Sequence, residues 1–334
     1  MAVKIKDVAK KAGVSVTTVS RVLNDGKYVS DELKEKVKKA IEELNYSPSF
    51  IARSLVLKKT NLLAVIVPNI TASVNSIILS KIEETASKNN YNIIVCNMAE
   101  NLDKQYKYLN IFKEMRVDGI IITNEKIDDK TRDFLESINI PIVFASAKPS
   151  NQKHIAIVVN NYQAAYDAAE YLTSLGHKRI AFIGGDRRDI TSGQERYNGY
   201  RNALKNNKIP LVEEYVEFGN YSLQDGYSIM NKILKCKKLP TAVFAASDDM
   251  AVGAINCIKD NGLKVPDDIS VIGFDGTAVV DIVRPRLTSM EQPIKEMGTM
   301  AVEMLIQKIN KQQTLVNEVI VNHELVVRDS CKKV

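Results

Sequence analysis

From Leu62 onward the chain alternates short apolar runs with stretches of helical length, and this alternation restricts the fold more than any other feature. The runs at 62–68 (LLAVIVP), 92–97 (NIIVCN), 117–123 (VDGIIIT), 140–146 (IPIVFAS) and 155–159 read as buried parallel strands. Helices are expected between the first four, at about 73–90, 103–115 and 128–138. The pattern then restarts with strands at 179–184 (RIAFIG), 215–219, 241–247 (TAVFAAS) and 269–274 (ISVIGF). Helices near 161–175, 193–207, 222–236 and 248–261 separate them. Two βαβ series predict two doubly wound parallel-sheet lobes, with a last helix at about 293–310 and final strands returning to complete them. Crossings between the lobes are expected near Asn160, Gln292 and Asn322.

The first 60 residues follow a different pattern. Val8, Ala9 and Ala12 share one face of a short helix, and Gly13 suits its left-handed end. Ser15 is placed to cap a second helix. Val19, Val22 and Leu23 form the buried face of that helix, leaving Val16, Thr17, Ser20, Arg21 and Asn24 outward. Ser30 opens a third helix carrying Leu33, Val37, Ala40, Ile41 and Leu44. A small all-α helix-turn-helix head over residues 1–47 follows. It is followed by a proline-broken linker at 48–60 and a core at 61–334. The core divides into one lobe of about 61–160 with 293–322 and another of about 161–292 with 323–334.

Charge separates these parts. The chain holds 46 Lys and Arg against 40 Asp and Glu. Residues 1–60 hold thirteen and seven of them, so the whole excess of +6 sits on the head and the remainder is balanced. A basic helical head on a neutral body is the distribution of a protein that binds double-stranded DNA. Outward hydroxyls and a methyl meet base edges in a major groove, and an arginine can grip guanine twice. Lys6, Val16, Thr17, Thr18, Ser20, Arg21 and Asn24 are the candidate DNA contacts. A plain helical hairpin with a solvated basic face is the alternative.

Other classes find little support. The four cysteines, Cys96, Cys236, Cys257 and Cys331, form no CxxC pair, so neither a zinc site nor a disulfide framework is suggested, and reduced thiols in a cytoplasmic protein are expected. No signal peptide and no membrane span are expected. No P-loop, dinucleotide, nucleophile-elbow or HExxH motif occurs, and His154, His177 and His323 are isolated, so no enzyme, cofactor or metal is anticipated. Polar residues that directly follow apolar runs instead suggest a ligand cleft beyond the strand ends: Asn69, Ser146, Ser247, Asp248 and Asp275. A solute-binding protein without a DNA role is the alternative of a different class.

The run DVAKKAGVSVTTVSRVLN at 7–24 resembles the opening motif of the LacI family of bacterial transcription regulators, and the resemblance extends over the whole chain. It implies a periplasmic-binding-protein-like core that senses a small metabolite, a sugar or sugar phosphate. It also implies a homodimer that represses from a pseudo-palindromic operator; no leucine-rich stretch follows Val327, so a tail-mediated tetramer is not expected. The family's Thr or Asn cap near position 4 is replaced by Lys4. In relatives the segment matching Ala52-Arg53-Ser54-Leu55 forms a hinge helix on operator, with Leu55 as a minor-groove wedge and Ala52 on the same face. Arg196 and Asp275 match family positions that hold effector hydroxyls, and Tyr221 falls where relatives keep an aromatic wall. Relatives carry an aromatic pair near 74 and 75, where this chain has Val74 and Asn75, so a more open or more polar cleft is expected.

The runs KYLNIFKEMRVDGIIIT and DIVRPRLTSMEQPIKEMG resemble catabolite-control members of the family, which a seryl-phosphorylated phosphocarrier protein activates. At the matching arginine positions this chain has Glu303 and Glu324, which would repel a phosphoserine. That reading weights small-molecule control above the phosphocarrier partner.

Overall fold

The computed structural model describes residues 3–23, 29–46, 59–98, 101–123, 127–149, 153–312 and 316–334. Asn24 and the hinge candidates Ala52 and Leu55 lie outside the described residues. The chain forms two units, Met1–Thr60 and Asn61–Val334.

In the first unit, helix α1 spans Ile5–Ala12, α2 Val16–Leu23 and α3 Asp31–Glu43. Lys4 provides no side-chain cap; instead the Asp7 carboxylate accepts its backbone N–H at 2.8 Å, so the α1 start is stabilised from within its first turn. Gly13 ends α1 with φ of 65°, a left-handed conformation that costs a glycine little. Ser15 Oγ then accepts the Thr18 N–H at 3.0 Å and opens α2. Val8, Ala9, Val19, Val37 and Ala40 close a small core, one patch from each helix.

The second unit contains two six-stranded sheets. The first is built from β1 (Leu62–Val67), β2 (Asn92–Asn97), β3 (Gly119–Ile122), β4 (Ile142–Ala145), β5 (Ile155–Val159) and β11 (Glu318–Val321), in the order β11-β5-β4-β3-β1-β2. The second contains β6 (Ile180–Gly184), β7 (Val216–Phe218), β8 (Ala242–Ala245), β9 (Ser270–Asp275), β10 (Thr288–Glu291) and β12 (Glu324–Val326), in the order β12-β10-β9-β8-β6-β7. Nearly all pairs are parallel because helices make the crossovers, and β1, β3, β4, β5, β6, β8 and β9 are buried throughout.

Helices α4 (Ser73–Lys88), α5 (Leu102–Met115) and α6 (Asp129–Ser137) belong to the first lobe. Helices α7 (Asn161–Ser174), α8 (Glu195–Asn206), α9 (Leu223–Ile233), α10 (Asp248–Asp260) and the short α11 (Val279–Ile282) belong to the second. After β10 the chain returns through α12 (Ile294–Ile309), which packs on α4 and on the first sheet. The chain therefore passes between the sheets at 160, 292 and 322. Two helix pairs, α7 with α8 and α9 with α10, pack at close range. A Cβ on Gly226 of α9 would come within 2.1 Å of the Met250 carbonyl of α10, so only glycine permits that approach.

Three features depart from the expected pattern. Strand β10 has the sequence TSME, whose hydroxyls disguise it. Thr288 and Ser289 are fully buried, and their oxygens bond the Arg328 N–H at 2.9 Å and Asp248 at 2.6 Å. Strand β12 runs antiparallel to β10, because a two-residue step from β11 leaves no room for a helical crossover. A π-helical turn, Ile190–Gln194, precedes α8.

Candidate functional site

On the head, α2 leaves Val16, Thr17 and Arg21 exposed, with Thr18 and Ser20 half-buried beside them. Lys6 is exposed on α1. The Thr18 hydroxyl lies 2.9 Å from Ser15 Oγ, so it serves the helix start first. Most of the lysines on α3 are matched within their own helix, Lys34 to Asp31, Lys36 to Glu32 and Lys38 to Glu35. Lys6, Lys10 and Arg21 carry no ion pair among the described residues, which leaves α1 and α2 as the face with net positive charge.

The core carries a cleft of about 170 Å³ where the carboxyl ends of both sheets converge. Asn69 follows β1, Ser146 follows β4, Asn220 and Tyr221 follow β7, Ser247 follows β8, Asp275 ends β9 and Gln292 follows β10; all line it. Ser146, Tyr221 and Asp275 have φ of 63°, 63° and 113°, so three non-glycine residues hold costly backbone conformations around one space.

Arg196 is the centre of the second lobe's wall. It is 5% exposed at its side chain and its guanidinium lies 3.7 Å from the centroid of Phe274. Its Nε donates to Asn161 Oδ1 at 2.8 Å and its Nη1 to the Ala246 carbonyl at 2.6 Å. The same Nη1 is 3.4 Å from Asp275 Oδ1, which also accepts from Gln292 Nε2 at 2.6 Å. Burial raises the Asp275 carboxyl above the usual carboxylate range, and the Arg196 charge opposes that rise.

The remaining walls carry the carboxylates of Asp186, Asp189 and Asp249 among neutral polar and apolar side chains. Asp189 Oδ2 takes the Tyr221 hydroxyl at 3.0 Å, which holds that ring against the cleft. Asn75 Nδ2 donates to the Asn69 carbonyl at 2.9 Å, so Asn75 and Val74 line the opposite wall without any aromatic ring from this segment. Asp186, Asp189, Ser192, Asp249 and Gln292 also line the cleft and were not anticipated from the sequence. Asp186 and Asp189 sit two and five residues beyond β6, too far for the rule of the first polar residue after a strand.

Asp248 is a correction. It is 0% exposed and lies behind the cleft, accepting the Thr277 N–H at 2.7 Å, the Thr277 hydroxyl at 3.0 Å and the Ser289 hydroxyl at 2.6 Å. Burial, with Asp275 adding like charge, raises its carboxyl. Its neighbour Asp249 faces the cleft instead. Ser247 is the cap of α10, accepting the Met250 N–H at 3.2 Å.

A helix-turn-helix head followed by a two-lobed α/β core with a ligand-sized interlobe cleft defines a ligand-responsive DNA-binding protein. Residues 4–49 match the family model for bacterial regulatory proteins of the lacI family, and residues 169–331 match that for the periplasmic binding protein-like domain. The chain is 37% identical to the HTH-type transcriptional regulator RegA of Clostridium acetobutylicum, over 99% of this chain and 100% of that one. It is 36% identical to catabolite control protein A of Priestia megaterium, again over 99% and 100%. The structure of the Lac repressor dimer bound to operator and the anti-inducer ONPF superposes with a TM-score of 0.89 at 29% identity, covering 99% of this chain and all of that one. The chain belongs to the LacI family of DNA-binding bacterial transcription regulators. No helix among the described residues is long and apolar enough to cross a membrane.

Proposed function

We propose that this regulator is a homodimeric repressor whose operator affinity is set by a neutral sugar or similar polyol in the interlobe cleft. The carrying observation is the cleft itself, where hydrogen-bonding groups from both sheets surround one space. Asp189, Asp249 and Asp275 suit pairs of neighbouring hydroxyls, and Tyr221 offers a ring face to a sugar. Of the two ligand classes, sugar and sugar phosphate, the first fits better. Among the described residues four carboxylates and one arginine line the cleft, and that arginine already meets Asp275. Lys6, Val16, Thr17, Ser20 and Arg21 are the DNA-facing set, with the hinge at 48–60 between head and core. The Lac repressor described above was captured as a dimer on operator, and this chain aligns with it from head to core.

Ligand closes the lobes and so alters the geometry with which two heads meet one operator, a coupling of typically about 1–3 kcal/mol. Control by a phosphocarrier protein is less favoured, since Glu303 on α12 and Glu324 on β12 are exposed carboxylates. The test is a thermal-shift screen of the full chain against neutral sugars and sugar phosphates, followed by operator binding with each hit. A neutral sugar that raises the melting temperature and changes operator affinity supports the reading. A protein that responds to no sugar, and whose DNA affinity rises with a seryl-phosphorylated phosphocarrier protein, replaces it with the catabolite-control reading.

A further inference from the structure

A second cavity, of about 240 Å³, opens on the second lobe between α8, the end of β7 and the turn after β6. It is lined by Arg187, Gln194, Tyr197, Arg201 and Phe218, among others. Arg187 lies over two rings, 4.9 Å from the centroid of Phe218 and 5.7 Å from that of Tyr197. Arg201 approaches the same Tyr197 ring at 5.8 Å. Both guanidiniums therefore line one cavity beside the Tyr197 ring, and an anion bound there meets two positive charges.

The acids nearby in sequence are taken by other bases. Asp186 is held by Arg188 at 2.7 Å, and Glu217, beside Phe218, faces Lys232 at 3.5 Å. Among the described residues neither Arg187 nor Arg201 reaches a carboxylate. The planar, many-donor guanidinium is the side chain best suited to grip a tetrahedral anion, and two of them line this cavity.

We propose that this cavity is a binding site for a phosphate-bearing small molecule, distinct from the cleft. The two sites differ in sign: the charged groups of the cleft among the described residues are Asp186, Asp189, Asp249, Asp275 and Arg196, those of the outer cavity Arg187 and Arg201. They also share a wall. In the segment 186–194, Asp186, Asp189 and Ser192 line the cleft, while Arg187, Gly193 and Gln194 line the outer cavity. An anion that orders this segment acts on the cleft from behind, a consequence that rests on the cleft reading above.

The experiment is titration calorimetry of the full chain with glucose 6-phosphate and with inorganic phosphate, paired with hydrogen exchange. Both probes bind the wild type, and R187Q/R201Q weakens them about tenfold or more, since each guanidinium supplies charge-assisted hydrogen bonds. Exchange slows over 186–194 in the wild type. If the double variant does not fold, R201Q alone, on the exposed face of α8, gives the same comparison. Absence of binding by either probe overturns the proposal. So does unchanged affinity in the variants, or protection that appears instead at 220–221 and 247–249, which would place the anion in the cleft. None of these outcomes bears on whether a neutral sugar binds the cleft.

Discussion

Ser73, at the start of α4 in the first lobe, donates its hydroxyl to Asp249 on α10 of the second, with 3.0 and 2.9 Å to the two carboxylate oxygens. This bond crosses the mouth of the cleft and joins the first helix of one lobe to the helix after β8 of the other. Both residues also line the cleft. The bond is therefore a direct link between lobe closure and the ligand space. S73A removes the donor and leaves the carboxylate half-buried, a loss of up to about 1.5–3 kcal/mol for a bond to a charged group in a dry site and less in this partly solvated one. Ligand affinity should fall up to about tenfold and the radius of gyration of the unliganded core should rise in X-ray scattering. Unchanged affinity and scattering would mean that other contacts hold the lobes.

Arg196 is expected to be the least replaceable side chain of the cleft. Its removal strips Asp275 of its counter-charge in the interior, and breaking one partner of such a pair typically costs about 3–5 kcal/mol. R196A should show that loss in urea unfolding and should bind no cleft ligand. R196K keeps the charge but not the fork or the stacking on Phe274, and should recover stability only in part.

Asp248 should make the core's stability depend on pH. Its carboxyl is raised to about 8 in the folded chain, chiefly by burial, against about 4 unfolded. Between those values the native state holds a proton that the unfolded state has lost, so this residue's contribution declines as pH rises from about 4 to about 8. D248N is neutral throughout, can still accept from the Thr277 N–H and can donate to Ser289. Urea melts of wild type and D248N at pH 5 and pH 8 should show the variant losing less stability across that interval. Parallel slopes would sink the assignment. D248A leaves Thr277 and Ser289 without an acceptor and should be destabilised at both pH values by about 1–3 kcal/mol or more.

Arg21, exposed on α2, is the proposed DNA contact whose loss should be read in sequence preference. R21A should relax discrimination at one operator position by about 1–3 kcal/mol, measured with operators permuted one base pair at a time. K6A should instead weaken all sequences about equally and reduce the salt slope by about one. An R21A protein with undiminished preference would move base readout to Val16, Thr17 or Ser20.

Much of the fold was legible because apolar runs and periodicity survive in most of the buried strands and helices. Strands β2 and β5 span the ranges that their apolar runs predict, and Gly13 and Ser15 punctuate the head as their backbone and side-chain chemistry requires. Strand β10 was not legible, since Thr288 and Ser289 are satisfied by residues forty positions away and carry no local sign of burial. Of the cleft residues, Asn69, Ser146, Ser247 and Asp275 could be read from the strands they follow or end, whereas Tyr221 was implied only by the resemblance. Asp186, Asp189 and Gln292 could not, because a turn, a π-helical segment and an interlobe crossing bring them in.

The clearest division falls between two adjacent aspartates. The sequence alone determined that a helix begins beside Ser247 and that acids occupy its first turn, since capping and periodicity are local effects. It did not determine which acid lines the cleft. Successive helical positions point about 100° apart, and only the packing of α10 against β8 and β9 sets that phase. It turns Asp248 inward to Thr277 and Ser289 and leaves Asp249 facing the cleft and Ser73.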